Sequence, residues 1–338
     1  MAGTDRQHAA AAPAERAGSV TPTVLPWRIV LTLGGAVLAL EILGALLTGG
    51  VGSPAALAGF GVGCFAALSG GRRLTLQAGL AFMAAIALVF VFPALPVLLG
   101  VCLALSAAAA VEVERFGSRA SAMVLMGVIL TALTFERGGD LWALALALAG
   151  LGTGHLVMGH LQLSGLLRHP PASRAESVGL GLFLAAGVLL SLALAATINA
   201  PHGYWIVLLF VGRTLMPMQH RPEALLKYGH GAALGVIAAL AVELAGTADV
   251  LRLLLAMAAF LVGLRFLTHP LPISVAGMTA GVLLASAPSP EAASFRAVAI
   301  LLVVALVLFL TLVLERVVPR LLAPRRVGQS AGRSPADP

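Results

Sequence analysis

Between Ile29 and Val318 the chain is a succession of long runs of Leu, Ala, Gly and Val, interrupted by short Gly-, Pro- or charge-marked stretches. Many runs approach the ~20 residues a helix needs to cross a bilayer. None alternates polar with apolar residues as barrel strands do. A soluble fold of 338 residues would have to clothe its surface in polar side chains. Only 10% of these residues are charged and 59% are apolar, against ~25% charged in an ordinary soluble domain. Mean hydropathy is +1.01. An all-α membrane protein is the expected fold class, with the lipid bilayer as its first partner.

The breaks divide the chain into about twelve segments: 28–48, 54–70, 74–92, 95–112, 119–136, 141–163, 177–198, 203–218, 226–246, 250–267, 270–286 and 296–318. The first run, Ile29 to Thr48, is long enough to span and reads as a retained helix, not a signal peptide. Lys and Arg accumulate in cytoplasmic loops. With the N-terminus inside, 18 of the 21 basic residues fall inside, and only Arg137, Arg252 and Arg296 fall outside. An even number of spans with both termini cytoplasmic follows, in a bacterial-type inner membrane. The net charge of +7 is therefore topological information. No stretch interleaves basic and aromatic residues as a nucleic-acid surface would.

Laying the second half over the first at an offset of about 150 residues aligns every break. Gly52-Ser53-Pro54 meets Pro201-His202-Gly203, and Arg72-Arg73 meets Arg221-Pro222. Phe116-Gly117-Ser118 meets Phe266-Leu267-Thr268, and Gly138-Gly139-Asp140 meets Ser289-Pro290-Glu291. The expected organisation is a disordered tail (1–26), a first six-helix repeat (27–168), a second (169–320) and a disordered basic tail (321–338). Each repeat holds an even number of spans, so the copies run parallel, about an axis along the membrane normal.

Few residues carry chemistry. Cys64 and Cys102 both lie in apolar runs, which leaves no disulfide framework and no zinc cluster. His155 and His160 are five apart, roughly 140° around a helix, where one-face metal ligation prefers three or four. No metal and no cofactor is expected. Gly59-Phe-Gly61-Val-Gly63 and Gly150-Leu-Gly152-Thr-Gly154 follow no strand and precede no Lys-Ser/Thr, so they are helix-packing surfaces, not phosphate loops. Glu41, Glu243 and His155 fall within spans. Glu41 and His155 are the candidates for proton coupling, because histidine titrates near neutral pH. A neutral His155 bonded to a neighbouring helix is the competing reading.

The most informative stretch is Asn199-Ala-Pro-His-Gly-Tyr-Trp205, followed by an apolar run and Gly212-Arg213-Thr-Leu-Met-Pro217. Tyr204 and Trp205 have two readings, a headgroup-level belt or the mouth of a site. Arg213 either snorkels from the helix end or faces the bundle as an anion site. His202-Gly203-Tyr204-Trp205, the apolar run, Arg213 and Pro217, then Lys227 leading into Gly229-His-Gly231-x-x-x-Gly235, resemble the signature of the fusaric acid resistance-like (FUSC) and aromatic acid exporter superfamily. Gly203 stands where that family often has Pro, and the first repeat lacks the His and the aromatics. The resemblance implies paired six-helix units around a pathway for organic, in particular aromatic, anions.

On this reading the chain is a secondary transporter, an exporter, or a conduction pathway for a small organic anion. Arg213, His202, Tyr204 and Trp205 bind substrate, and Arg72, Arg73, Arg221 and Lys227 shape a positive inner vestibule. The alternatives are a non-transporting membrane scaffold or accessory subunit and, further off, an enzyme on lipid-linked substrates. Glu112 and Glu114 point to different helix faces, and no nucleophile–base set is present, so no enzyme is expected. The sequence leaves a homo-oligomer open.

Overall fold

The computed structural model describes residues 24–49, 53–70, 72–136, 140–166, 170–198, 204–215, 222–266, 271–286 and 290–322, apart from some side chains near helix ends. Twelve α-helices account for almost all of them, and no strand occurs among the described residues. They are α1 (Trp27–Thr48), α2 (Ser53–Gly70), α3 (Arg72–Val91), α4 (Leu95–Phe116), α5 (Ala120–Glu136) and α6 (Leu141–His160), then α7 (Arg174–Ile198), α8 (Tyr204–Leu215), α9 (Pro222–Leu244), α10 (Asp249–Arg265), α11 (Leu271–Ser286) and α12 (Pro290–Leu322). Every expected segment is a helix in its expected order. Among the described residues, α1–α4, α6, α7 and α12 contain seven stretches long and apolar enough to cross a membrane. The chain is a multi-pass helical membrane protein.

The ends differ from the sequence-based segments for local reasons. α4 runs four residues past 112, to Phe116, and stops where Gly117 adopts φ 65° and its N–H donates to Val113 O. That left-handed turn is one a glycine makes without a Cβ penalty. α6 ends at His160 and not 163, as the chain turns through Gln162 at φ 56°. α6 starts on Asp140, whose carboxylate accepts the Trp142 N–H at 2.9 Å. α7 starts on a capping box: Glu176 Oε2 accepts the Ser173 N–H at 2.9 Å, and Ser173 Oγ accepts the Glu176 N–H at 3.3 Å.

Packing is closest where glycines remove side chains from the interface. A Cβ on Gly59 or Gly63 of α2 would run into the carbonyl oxygens of Ala147 or Leu151 on α6. One on Gly150 or Gly154 of α6 would meet those of Ala56 and Phe60 on α2. These are the paired Gly-x-x-x-Gly runs that the sequence marked, and they make α2–α6 the most intimate helix pair. Cys64 lies in this seam, its thiol 3.7 Å from Gly154 O.

Three hydrophobic cores result, the smallest joining Leu40 of α1, Ala56 and Phe60 of α2 and Leu146 of α6. The largest holds buried residues of α2–α8 and α12. At its centre α5 packs on α2 and on α8, with Val124, Leu125 and Val128 fully enclosed. The second core joins α9, α10 and α11 through Tyr228, Val236, Ala239, Ala256, Val275 and Leu283. Gly231 and Gly235 of α9 lie against the backbone of Pro272 and Ala276 on α11. Gly277 lies 2.7 Å, by its absent Cβ, from Ala259 O on α10.

Candidate functional site

α8 carries three of the eight candidate substrate residues, Tyr204, Trp205 and Arg213. At 12 residues and ~1.5 Å per residue it is ~18 Å long, well short of the ~30 Å hydrocarbon layer. It forms because Trp205-Ile-Val-Leu-Leu-Phe-Val211 is continuously apolar, and it is buried because nearly all of it faces protein. Ile206, Val207, Phe210 and Val211 are enclosed between α5, α7 and α12. Phe210 stacks on Phe183 of α7 with ring centres 5.2 Å apart. Gly187 makes room for that ring, since any Cβ there would strike it.

Trp205 is half-buried against the larger core, its ring nitrogen enclosed. It shares one helix face with Leu208, Leu209 and Gly212, all half-buried, at spacings of three, one and three. Tyr204 opens α8 and Arg213 sits in its last turn, but their side chains lie outside the described residues, as do His202 and Arg221 altogether. Gly212 stands 3.8 Å, by its absent Cβ, from the Met126 sulfur on α5, so this end of α8 lies against the middle of α5.

The flanking cations are dispersed. Arg72 and Arg73 are exposed at the start of α3, and Lys227 is exposed near the start of α9. α3 packs on α2, α4, α5 and α6, whereas α9 packs on α11 and α12. The two basic groups thus stand on helices that do not pack together.

Glu41 is half-buried on α1, about two-thirds of the way along the helix. His155 lies five residues from the end of α6, in its second half, and its Nδ1 is buried with no hydrogen-bond partner among the described residues. The adjacent helices α1 and α6 carry these two residues toward opposite faces, because α1 runs from the end where α6 finishes. Among the described residues no three His, Cys, Asp or Glu side chains gather as metal ligands.

The two carboxylates in the last turns of α4 have roles that no sequence pattern announced. Glu112 is buried, and its two oxygens accept the backbone N–H groups of Ala120 at 3.0 Å and Ser121 at 2.7 Å. It therefore caps α5 from eight residues upstream, satisfying donors that a helix start leaves open. Glu114 accepts the Ser177 hydroxyl of α7 at 3.1 Å. Arg119, in the same turn, is held below the usual guanidinium range by burial, while remaining a cation. The signal was faint: Ser118 precedes α5, but no acid follows in the helix's first turn.

Two backbone hydrogen bonds cross between the halves in matching positions. Ala172 N–H, two residues before α7, donates to Val113 O in the last turn of α4 at 3.0 Å. Leu25 N–H, two residues before α1, donates to Arg265 O at the end of α10 at 2.9 Å. At this second seam the Arg265 guanidinium lies 4.4 Å from the centre of the Trp27 ring.

No protein-family model matches the chain, and no curated protein or solved structure matches it significantly.

Proposed function

We propose that the chain is a secondary transporter or conduction pathway for organic, in particular aromatic, anions, built from two parallel six-helix repeats in a bacterial-type inner membrane, with both termini cytoplasmic. The observation that carries this reading is α8. A helix of ~18 Å inside a layer of ~30 Å ends at least once within the hydrocarbon. Either end brings polarity with it: His202 just ahead of the helix and Tyr204 at its start, Arg213 in the last turn. Ionisable groups at such depth face a protein interior or a watered path, and helices broken at midplane hold substrates in repeat-built transporters.

The neighbour relations of the helices support the repeat. Shifting each helix by six turns α1–α2 into α7–α8, α1–α6 into α7–α12, α3–α5 into α9–α11, and α4–α5 into α10–α11, all of which pack. The same shift exchanges the α4–α7 seam with α10–α1, each closed by a backbone bond just before the first helix of a half. An enzyme reading loses its best carboxylates, since Glu112 and Glu114 are committed to α5 and to Ser177.

The test is efflux of phthalate from proteoliposomes, chosen because an aromatic dianion crosses bare lipid poorly. Efflux above protein-free vesicles, reduced about tenfold by Arg213→Gln, is expected, the size of losing one charge-assisted contact. Phthalate retention equal to that of empty vesicles would remove aromatic dianions from the proposal, and undiminished flux in Arg213→Gln would remove Arg213.

A further inference from the structure

The two three-helix groups at equivalent positions, α3–α4–α5 and α9–α10–α11, are attached very differently. α5 packs on both α2 and α8. Its counterpart α11 makes no comparable contact with either, and packs on α9 and α10. The glycines at matching positions report this: Gly127 of α5 faces Val62 of α2 and Phe82 of α3, each 3.0 Å from its absent Cβ, whereas Gly277 of α11 faces the backbone of α10.

The α9–α10–α11 group is tightly made. Besides its glycine contacts and its own core, Ser274 Oγ of α11 donates to Gly263 O of α10 at 3.0 Å. The Glu243–Arg252 ion pair at 3.8 Å joins α9 to α10, so it stiffens the group without tethering it to anything else. Its links outward are fewer: α9 packs on α12 through Ile300 and Val304, Leu261 of α10 lies against Gly34 of α1, Leu209 of α8 touches its core, and Leu25, Trp27 and Arg265 close the seam with α1. On α8, half-buried Leu209 packs against both cores and so marks the side that meets this group.

We infer that α9–α10–α11 is a rigid gate that swings on α12, and that its closed position seats α11 against α8 at Leu209, as α5 sits against α2 in the first half. Packed cores shift between discrete arrangements instead of deforming continuously, and the close backbone contacts keep the three helices together as they move. Leu209, which touches both cores, is the hinge-side edge of the contact; Trp27 and Arg265 form the latch that holds α10 to α1. The motion needs no transported substrate, so its test stands apart from that of transport.

Pulsed electron-spin distances in lipid nanodiscs test it, with nitroxides on exposed positions in a Cys64→Ala, Cys102→Ala background. Ile273→Cys with Leu148→Cys reports gate against body, Leu234→Cys with Leu254→Cys reports within the gate, and Leu80→Cys with Leu156→Cys reports within the body. Two gate-to-body populations about 5 Å or more apart are expected, since packed helix axes sit ~8–10 Å from one another. Trp27→Ala, which opens the latch, shifts their ratio, while both control pairs stay single. A single narrow gate-to-body distance in parent and Trp27→Ala alike would overturn the inference, as would a split distance within the gate.

Discussion

The α2–α6 pair and the α9–α10–α11 group use the same device, a glycine stripe against a neighbour's backbone, to opposite ends. In the first half the stripe welds α6 onto α2, which is already surrounded by α1, α3 and α5. In the second it welds α11 to α9 and α10, and leaves that group loosely joined to the rest. Close packing fixes what moves together. Where the stripe lies on the helix decides whether the weld anchors a helix to the body or frees a unit from it.

The largest effect should come from breaking the first weld. Gly150→Leu forces a side chain into the carbonyl of Ala56 and is expected to cost about 3 kcal/mol or more, read as loss of monodisperse protein in detergent. Gly152→Leu, on the opposite face of the same helix with nothing within 4 Å, is the control and should purify like the parent. Equal behaviour of the two would mean that α2 and α6 do not approach this closely.

A smaller effect separates the two seams. Glu112→Ala leaves the Ala120 and Ser121 donors without their acceptors and should cost about 1–2 kcal/mol, seen as faster amide exchange at the start of α5. Exchange in α9–α11 should be unchanged, because that group shares no cap with α5. Smallest is Trp27→Ala, which removes a cation–π contact worth about 0.5–1 kcal/mol. Its effect on melting should be slight, and its exchange signature confined to α1 and the end of α10.

The order and type of the helices were legible because each is a long apolar run bounded by Gly, Pro or charge. Gly59, Gly63, Gly150 and Gly154 were legible as packing surfaces for the same reason. Which surfaces meet was not: Gly127 and Gly277 stand 150 residues apart, the offset of the proposed repeat, yet one receives a Phe ring and the other a helix backbone. Glu112 looked like one of a pair of carboxylates, because a cap reaching across a glycine turn to a helix eight residues on leaves no short-range pattern. Arg72, Arg73 and Lys227 were expected to shape one vestibule, but spacing along the chain does not say that α3 and α9 lie on different neighbours.

The parallel repeat is the claim on which the seams, the gate and the pathway all depend. Single cysteines at Phe92→Cys, between α3 and α4, and Ala248→Cys, between α9 and α10, test it when probed in intact cells with a membrane-impermeant maleimide, in the Cys64→Ala, Cys102→Ala background. Both should label from the outside, while Arg73→Cys and Lys227→Cys label only after the membrane is opened. If Phe92→Cys and Ala248→Cys label from opposite sides, the two halves are inverted and the account is wrong.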